Sequence, residues 1–480
     1  MEMTSIEKWL PAPGELLEFV PTAETLAAAR NGSLSTARPS SIQAGHIRTA
    51  IERRSRGLDW SPWVAIAFHV PAPLNRQALC RAFNAFVTRH GTLLSWFEGD
   101  VDNLRRRVIP SEAVTLKIAR GGDAQTTGQV REKVTERFAG NTSPLSWPSF
   151  AAGAIDHDAG RDGPPGSPTA GFTVYYGVDH SHTDGVSMLY GVQELRELYE
   201  RQVTGNTEPL PPVGSYVDFS AAERELEETL TLASPPVAVW LSALGQTGFR
   251  LPSFPLPLGL EPGETASAVR THADIGDAAT IDAFEKVARS AGGGMAAAMF
   301  AALSTVDTEL AGRSLYLALN AVATRFDPIY ATAQGWFVNV VPIAADLSQA
   351  ETFEQRVGAM QSALERSRAA AAMPARAVVD AVTSATGGGA QVSATTVPPM
   401  VSYIDMRRFA GAELPGTDQI VALGGPGNTG DVSLWINRKR QRTYVMASYP
   451  NTPTAHASVT DYLAALGDVI TRTVGAAAVL

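Results

Sequence analysis

The succession of apolar and polar positions along the chain predicts strands that alternate with amphipathic helices. Residues 63–70 (WVAIAFHV) and 172–178 (FTVYYGV) are nearly continuous runs of β-branched, aromatic and small side chains, which are typical of buried strands. Over 187–202, apolar side chains recur at intervals of three and four residues, which predicts a helix. A strand therefore passes into a helix close to residue 180.

The second half of the chain repeats this succession without a detectable sequence repeat. Strands are predicted over 266–275 and 315–323, and a helix over 281–305 is interrupted by three consecutive glycines. Between the halves lies a proline-rich stretch. Because 480 residues exceed what one hydrophobic core usually holds, we predict two domains. Their boundaries are expected as follows: an N-terminal lobe (1–208), a proline-rich crossover (209–263) and a C-terminal lobe (264–480).

Composition narrows the class of protein. The hydrophobic content of 45% is ordinary for a globular protein, and the net charge of −9 argues against nucleic acid as the main partner. The single cysteine, Cys80, excludes an internal disulfide and lies on an apolar helix face. No secretory signal and no apolar run of membrane-spanning length are recognised, so a cytoplasmic location is expected.

The most informative residues for chemistry stand at the predicted strand-to-helix junction, where the sequence reads HSHTDG (180–185). A neutral imidazole can take a proton from a hydroxyl or an amine, which makes His180 a candidate base. Asp184 can orient the turn, either by bonding to the imidazole or by pairing with an arginine elsewhere. Gly185 is expected to let the backbone pass close to a substrate or adopt a positive φ.

Other classes of site compete with this interpretation. A histidine with an aspartate four residues away is common in structural roles. His180, His182 and Asp184 also fit the first three places of a His-x-His-x-Asp-His metal site, but Gly185 occupies the fourth. A serine hydrolase is not indicated, because the chain has no G-x-S-x-G motif.

The sequence DHSHTDG (179–185) resembles the HHxxxDG signature of the condensation-domain and CoA-dependent acyltransferase superfamily. In that match His180 falls on the catalytic histidine, Asp184 on the structural aspartate and Gly185 on the glycine. The chain departs from the signature at its first histidine, where Asp179 stands. We expect this carboxylate beside His180 to favour the charged imidazole.

Four further segments resemble superfamily motifs in the same order along the chain. They are S-x-x-Q at 40–43, RHGTLL at 89–94, SYVDFS at 215–220 and GWFVNVVP at 335–342. The C-terminal pattern around 433–450 (SLWINR…SYP) is most similar to actinobacterial polyketide-associated acyltransferases. The resemblance therefore covers nearly the whole chain.

The resemblance implies an α/β fold (an α+β sandwich) of two chloramphenicol-acetyltransferase-like lobes, which form a pseudo-dimer with a tunnel between them. It implies that Arg325 pairs with Asp184 and supports the site together with Gly185. It also offers candidate tunnel or substrate residues: Asp179, His182, Gln43, Trp336 and Asn339. A basic stretch at 438–442 either attracts a coenzyme A phosphate or an acidic carrier protein, or is an ordinary charged hairpin.

The implied activity is O-acyl transfer from a thioester, acyl-CoA or an acyl carrier protein, to a hydroxyl of a sugar or lipid alcohol such as trehalose. His180 is the expected general base, and no metal or other cofactor is required. A polyketide synthase or carrier protein is a candidate partner. The alternative is a condensation-like domain that binds a carrier-tethered acyl chain without turnover, and a less favoured one is a metallohydrolase.

In the loop at 156–170, glycines and prolines predict a hairpin in which His157 is expected to be exposed to solvent.

Overall fold

The computed structural model describes residues 2–57, 62–158, 171–385, 399–409 and 420–477. In chain order, the strands in these ranges are β1 (Glu2–Ser5), β2 (Gly14–Pro21), β3 (Ser33–Leu34), β4 (Trp63–Val70), β5 (Ser95–Glu98), β6 (Arg105–Val108), β7 (Leu116–Ala124), β8 (Phe150–Asp156), β9 (Phe172–Asp179), β10 (Ala266–Asp277), β11 (Leu315–Ala323), β12 (Val338–Asp346), β13 (Met400–Asp405), β14 (Ile420–Gly424), β15 (Asn428–Thr429), β16 (Ser433–Arg438) and β17 (Arg442–Pro450).

The α-helices of the same ranges are α1 (Ala23–Arg30), α2 (Ser41–Ser55), α3 (Arg76–Arg89), α4 (Thr127–Asn141), α5 (Gly185–Thr204), α6 (Tyr216–Glu228), α7 (Pro235–Gly245), α8 (Ala278–Ser290), α9 (Met295–Ala311), α10 (Phe353–Ser367), α11 (Ala375–Ala385) and α12 (Pro453–Ala477).

The chain divides into two compact units. The first comprises Met1–Glu225, Arg325–Phe337 and Glu413–Pro426, and the second comprises Leu226–Thr324, Val338–Ala412 and Gly427–Leu480. The segment Arg325–Phe337 therefore belongs to the first unit, although β11 before it and β12 after it belong to the second. The sequence boundaries at residues 208 and 263, and the tunnel, stay predictions.

The main sheet of the first unit has seven strands in the order β1-β14-β4-β9-β8-β2-β7. β1 pairs in parallel with β14, and the other neighbours are antiparallel. β9 is the middle strand, and all eight of its residues are buried. A strand covered on both faces needs apolar side chains in both directions, which explains its continuous apolar run.

Two layers of helix cover β9. On one face, Val174, Tyr176 and Val178 pack with apolar residues of α3 and α5. On the other face, Tyr175 packs with Phe138 of α4, and the Tyr175 hydroxyl donates a hydrogen bond to the Leu17 carbonyl of β2 at 2.9 Å. This packing fixes the end of β9, where His180 follows.

The second unit has its own seven-stranded mixed sheet, in the order β12-β11-β13-β16-β17-β10-β15. Apolar residues of α7 to α12 pack with the strands in one core. The helix predicted over 281–305 is two helices, α8 and α9, because three consecutive glycines (292–294) lie between them; Gly292 has a φ of 76°.

The predicted α/β class is confirmed by these two sheets and their helices. The expectation that His157 is exposed is wrong, because its ring is buried, with Nδ1 3.0 Å from the Pro13 carbonyl and Nε2 2.8 Å from Thr173 Oγ1. The rest of that predicted loop, 159–170, lies outside the described residues. No helix within the described ranges has the length and apolar character to cross a bilayer.

A glycine in β8 allows the contact between Tyr175 and β2. A Cβ built at Gly153 would lie 2.2 Å from the Leu17 carbonyl oxygen and 2.3 Å from the Tyr175 hydroxyl. We expect Gly153→Ala to lower the free energy of unfolding by about 1–3 kcal/mol, the usual cost of overpacking, as measured by urea denaturation. Gly140→Ala in α4, where a Cβ meets nothing within 4 Å, is the control and should change stability by less than about 1 kcal/mol. Equal midpoints for the two variants would contradict the packing argument.

Candidate active site

The turn from β9 to α5 carries the candidate residues. After Asp179, residues His180–His182 form one turn of 3₁₀ helix, and α5 begins at Gly185. Asp184 is the N-cap of α5, and its carboxylate accepts a hydrogen bond from the Ser187 backbone N–H at 2.6 Å. The cap satisfies a donor that the first turn of a helix otherwise leaves open.

His180 is the residue of this turn that keeps accessible surface. Asp179, Ser181, His182, Thr183 and Asp184 are buried, whereas the His180 side chain is partly exposed. Its Nδ1 lies 3.1 Å from the Thr183 carbonyl oxygen. Because a carbonyl can only accept, Nδ1 carries the proton, and in the neutral ring Nε2 holds the lone pair that a base needs.

Asp179 favours the charged form of His180, as expected, but other effects outweigh it. Burial lowers the pKa of His180 below its usual value, and the nearby charge of His46 lowers it further, so that the opposing effects of Asp179 and Asp184 are outweighed. The Asp179 carboxylate is directed to another partner, with His46 Nε2 3.1 Å from Oδ1 and 3.2 Å from Oδ2.

Burial alone would raise the pKa of Asp179, but the charge and hydrogen bond of His46 lower it below the usual value. Asp179 therefore stays ionised in a site where it has no exposed surface.

Asp184 and Arg325 form the pair that the resemblance implies. Arg325 Nη2 lies 3.3 Å from Asp184 Oδ1, and both side chains are nearly fully buried. The second carboxylate oxygen of Asp184 accepts the backbone N–H of Phe337 at 2.8 Å. Of the two roles left open for Asp184, the structure therefore supports pairing with an arginine.

Arg325 also fixes the segment that follows it. Its Nη1 donates to the carbonyls of Tyr330 at 2.7 Å and Ala333 at 2.8 Å, and its guanidinium lies 4.2 Å from the centre of the Phe337 ring. Its Nη2 also donates to Ser187 Oγ at 2.6 Å. One buried cation thus connects the start of α5 with segment 325–337, both of the first unit.

Trp336 is held by this segment against the candidate base. The centres of its ring and of the His180 ring are 4.2 Å apart, with 31° between the planes. Its carbonyl accepts the Tyr216 hydroxyl at 2.9 Å. Trp336 is partly exposed. Among the predicted site residues of the first unit, Trp336 and His180 are therefore the ones whose rings are partly accessible to solvent.

Gln43 supports the turn from helix α2. Its Nε2 donates to the Ser181 carbonyl at 2.7 Å, while its Oε1 accepts from the buried Arg106 at 2.8 Å. Gln43 is fully buried, and so is His182, whose Nε2 donates to the Ser95 carbonyl at 3.0 Å. Burial lowers the pKa of His182 to about 4. A substrate contact by either residue stays a prediction that would require these internal bonds to break.

Asn339 lies in the second unit, on β12. Its Nδ2 donates to the carbonyls of Ala371 at 2.9 Å and Met373 at 2.7 Å, and its Oδ1 accepts the Ala375 backbone N–H at 2.9 Å. These bonds fix the chain before α11, which is a structural role. Substrate contact by Asn339 stays a prediction.

A positive φ, one of the two reasons expected for glycine at position 185, is not seen, and close approach of its backbone to a substrate stays a prediction. Gly185 is absent from the glycines with positive φ, and a Cβ built there meets no atom of the described residues within 4 Å. Two contributors, His46 and Tyr216, were missed by the sequence analysis. For His46 a signal existed, because it stands three residues after Gln43 and therefore on the same helix face.

The described residues contain no group of His, Cys, Asp or Glu side chains suited to a metal ion. Two arginines of the basic stretch at 438–442 form ion pairs within the second unit. The buried Arg438 pairs with Asp282 and Glu285, each at 2.7 Å, and Arg442 pairs with Asp274 at 2.6 Å. These pairs favour the ordinary charged hairpin.

Comparison with known proteins agrees with this geometry. The family model described as "Condensation domain" matches residues 61–391, well over half of the chain. The chain belongs to the condensation-domain family. The predicted resemblance and the predicted fold class are both confirmed by this match and by a solved structure of the PapA2 acyl transferase, which covers 99% of this chain and 100% of its own at 25% identity and a TM-score of 0.85.

Curated relatives are acyltransferases of the Pap type. Acyltransferase PapA3 of Mycobacterium tuberculosis (strain CDC 1551 / Oshkosh) is 29% identical, over 98% of this chain and 96% of its own length. Trehalose-2-sulfate acyltransferase PapA2 of Mycobacterium bovis (strain BCG / Pasteur 1173P2) is 27% identical, over 98% and 97%. The chain is therefore an acyltransferase, as predicted.

Removal of the Asp184 carboxylate should destabilise the first unit. We expect Asp184→Ala to lower the free energy of unfolding by about 3–5 kcal/mol, because it leaves Arg325 buried without its counter-ion and removes the cap of α5. Urea denaturation measures the loss. Glu197→Ala, which breaks an exposed pair with Arg201, is the control and should cost less than about 1 kcal/mol. If the two variants unfolded at the same urea concentration, the buried pair would contribute no more to stability than the exposed one.

Proposed function

We propose that the chain transfers an acyl group from a thioester to a hydroxyl of a sugar or lipid alcohol in glycolipid or specialised-metabolite biosynthesis. The donor is acyl-CoA or an acyl carrier protein, and the acceptor is trehalose or a related sugar. The names of the relatives support the acceptor class, because one of them acts on trehalose-2-sulfate. The observation that carries the proposal is the partly exposed His180 ring, whose Nδ1 lies 3.1 Å from the Thr183 carbonyl oxygen, so that the lone pair is left on Nε2.

The proposed reaction has three steps at His180. Nε2 takes the proton of the acceptor hydroxyl, and the oxygen attacks the thioester carbonyl to form a tetrahedral intermediate. The intermediate collapses with cleavage of the carbon–sulfur bond. The protonated imidazole then returns its proton to the leaving thiolate, so that His180 ends as it began. No covalent acyl-enzyme forms, and no metal takes part.

The surroundings of His180 support this role. The Thr183 carbonyl holds the ring in one tautomer throughout the cycle, and it stabilises the imidazolium formed after the first step. Because burial and His46 lower the pKa of His180, the ring is neutral near pH 7 and ready to accept a proton. Asp184 contributes through the position of the turn and not through proton transfer.

A panel of acyl-CoA thioesters incubated with trehalose, trehalose-2-sulfate and lipid alcohols, followed by mass spectrometry, tests the proposed function. We expect an ester of one sugar acceptor and the release of free CoA thiol in equal amount. Loss of thioester without ester would indicate hydrolysis. Binding of the thioester with neither product would favour the domain without turnover, and bound zinc or iron in elemental analysis would favour a metallohydrolase.

The role of His180 predicts the effect of its removal. His180→Ala should lower kcat by about 10²–10⁴-fold, the usual contribution of a general base, while the urea midpoint stays near that of the wild type. Thiol release in a steady-state assay measures the rate. His456→Ala, at an exposed histidine of the second unit, is the matched control and should retain full activity. A His180→Ala enzyme as fast as the control would exclude this mechanism.

The lowered pKa of His180 predicts the pH dependence. A base must be deprotonated, so kcat/KM should fall as the pH drops through the pKa of His180. Because that pKa lies below the usual value of about 6.5, the fall should be centred below pH 6.5, with a plateau at pH 7. The initial rate at low substrate, measured from pH 5 to 8, gives the profile. A midpoint above pH 6.5 would contradict a lowered pKa of His180.

A further inference from the structure

We propose that His46 and Asp179 form a pair that positions His180. In this pair, helix α2 supplies the imidazole that the family motif places directly before its catalytic histidine. The inference rests on the proposed function, since it assumes that His180 is the base. Its basis is the departure of this chain from the motif: where the signature has two adjacent histidines, the chain has Asp179 and His180.

The pair is closed and buried. His46 Nε2 lies 3.1 and 3.2 Å from the two oxygens of the Asp179 carboxylate, with 8% and 0% of the two side chains exposed. The Ser181 backbone N–H donates to the same carboxylate at 2.9 Å. A buried carboxylate without a partner is costly, so Asp179 at this position requires a donor such as His46.

Helix α2 contacts the turn on both sides of His180. Gln43 reaches the carbonyl of Ser181 after it, and His46 reaches the carboxylate of Asp179 before it. The two side chains share one helix face, since they are three residues apart. A capping box between Ser40 and Gln43 fixes the start of helix α2. It thereby fixes the positions of Gln43 and His46 along the helix axis.

The aromatic contacts join His46 to the same site. Its ring meets the Trp336 ring edge-on, with centres 5.4 Å apart and planes at 88°. Trp336 in turn lies on His180, and the centres of the two imidazole rings are 6.4 Å apart. Loss of the His46 ring would therefore remove a wall of Trp336 as well as the partner of Asp179.

At this distance the two members of the pair act on His180 in opposite directions. A positive His46 disfavours protonation of His180, and the Asp179 carboxylate favours it. Other ionisable or charged side chains of the turn and of its contacts stay unchanged in the variants below: His182 of the turn, Asp184 with Arg325, and Arg106 of β6, which donates to Gln43. Removal of His46 alone leaves the effect of Asp179 unopposed.

The test uses His46→Gln, Asp179→Asn and the double variant of the full chain. In protein labelled with ¹³C-histidine, NMR titration without substrate follows His180, which the His180→Ala spectrum assigns. We expect the His180 titration to move to higher pH in His46→Gln and to return toward the wild type in the double variant. Asp179→Asn removes the negative charge, so it should not move the His180 titration to higher pH. His456→Gln is the control and should leave the titration unchanged.

The pH dependence of kcat/KM should change among the variants in the same way as the NMR titration. The acid limb of kcat/KM should shift to higher pH in His46→Gln and be rescued in the double variant, because glutamine and asparagine can bond without charge. A purely structural role predicts a lower kcat with an unmoved limb and a double variant worse than either single one. That outcome, or a His46→Gln titration identical to the wild type, overturns the inference. Absence of acyl transfer in the wild type would instead refute the proposed function. The NMR titration would still decide whether His46 and Asp179 act on His180.

Discussion

The carboxylate of Asp184 is the group on which the geometry of the first unit's site depends. It caps α5 through the Ser187 N–H, accepts the Phe337 N–H and pairs with Arg325. Since both charged side chains are nearly fully buried, neither is stable in its place without the other. The turn that carries His180 is therefore fixed by a residue far away in the sequence. Arg325 in turn fixes the backbone that presents Trp336 to the His180 ring.

Two carboxylates flank His180 in the sequence, and each favours the charged form of the imidazole. Each is also bound to a cation or hydrogen-bond donor of its own: Asp184 to Arg325, and Asp179 to His46. With both carboxylates compensated, burial decides the pKa of His180 and lowers it. The neutral state of His180 thus depends on contacts with distant residues, because the sequence HSHTDG alone would also allow a protonated imidazole.

The features that depend on neighbours in the sequence could be predicted. The buried strand β9 and the position of His180 where the strand ends both follow from local patterns. Contacts between distant segments could not, because sequence spacing does not show which buried polar groups meet. His157 in a polar stretch was expected in solvent, yet its ring bonds to Pro13 and Thr173. The Arg325–Asp184 pair was reached through family resemblance, whereas the His46–Asp179 pair has no place in the motif and so was missed.

The aspartate at position 179, where the motif has a histidine, would favour a domain without turnover, and the structure weakens that argument. Loss of the first motif histidine would disable His180 if the new carboxylate faced it without compensation, since the ring would then be held protonated. The carboxylate faces His46, with Ser181 as a further donor, and the pKa of His180 is lowered. The departure from the motif and the histidine on α2 are best understood as one change, in which the imidazole beside the base comes from a helix instead of the strand.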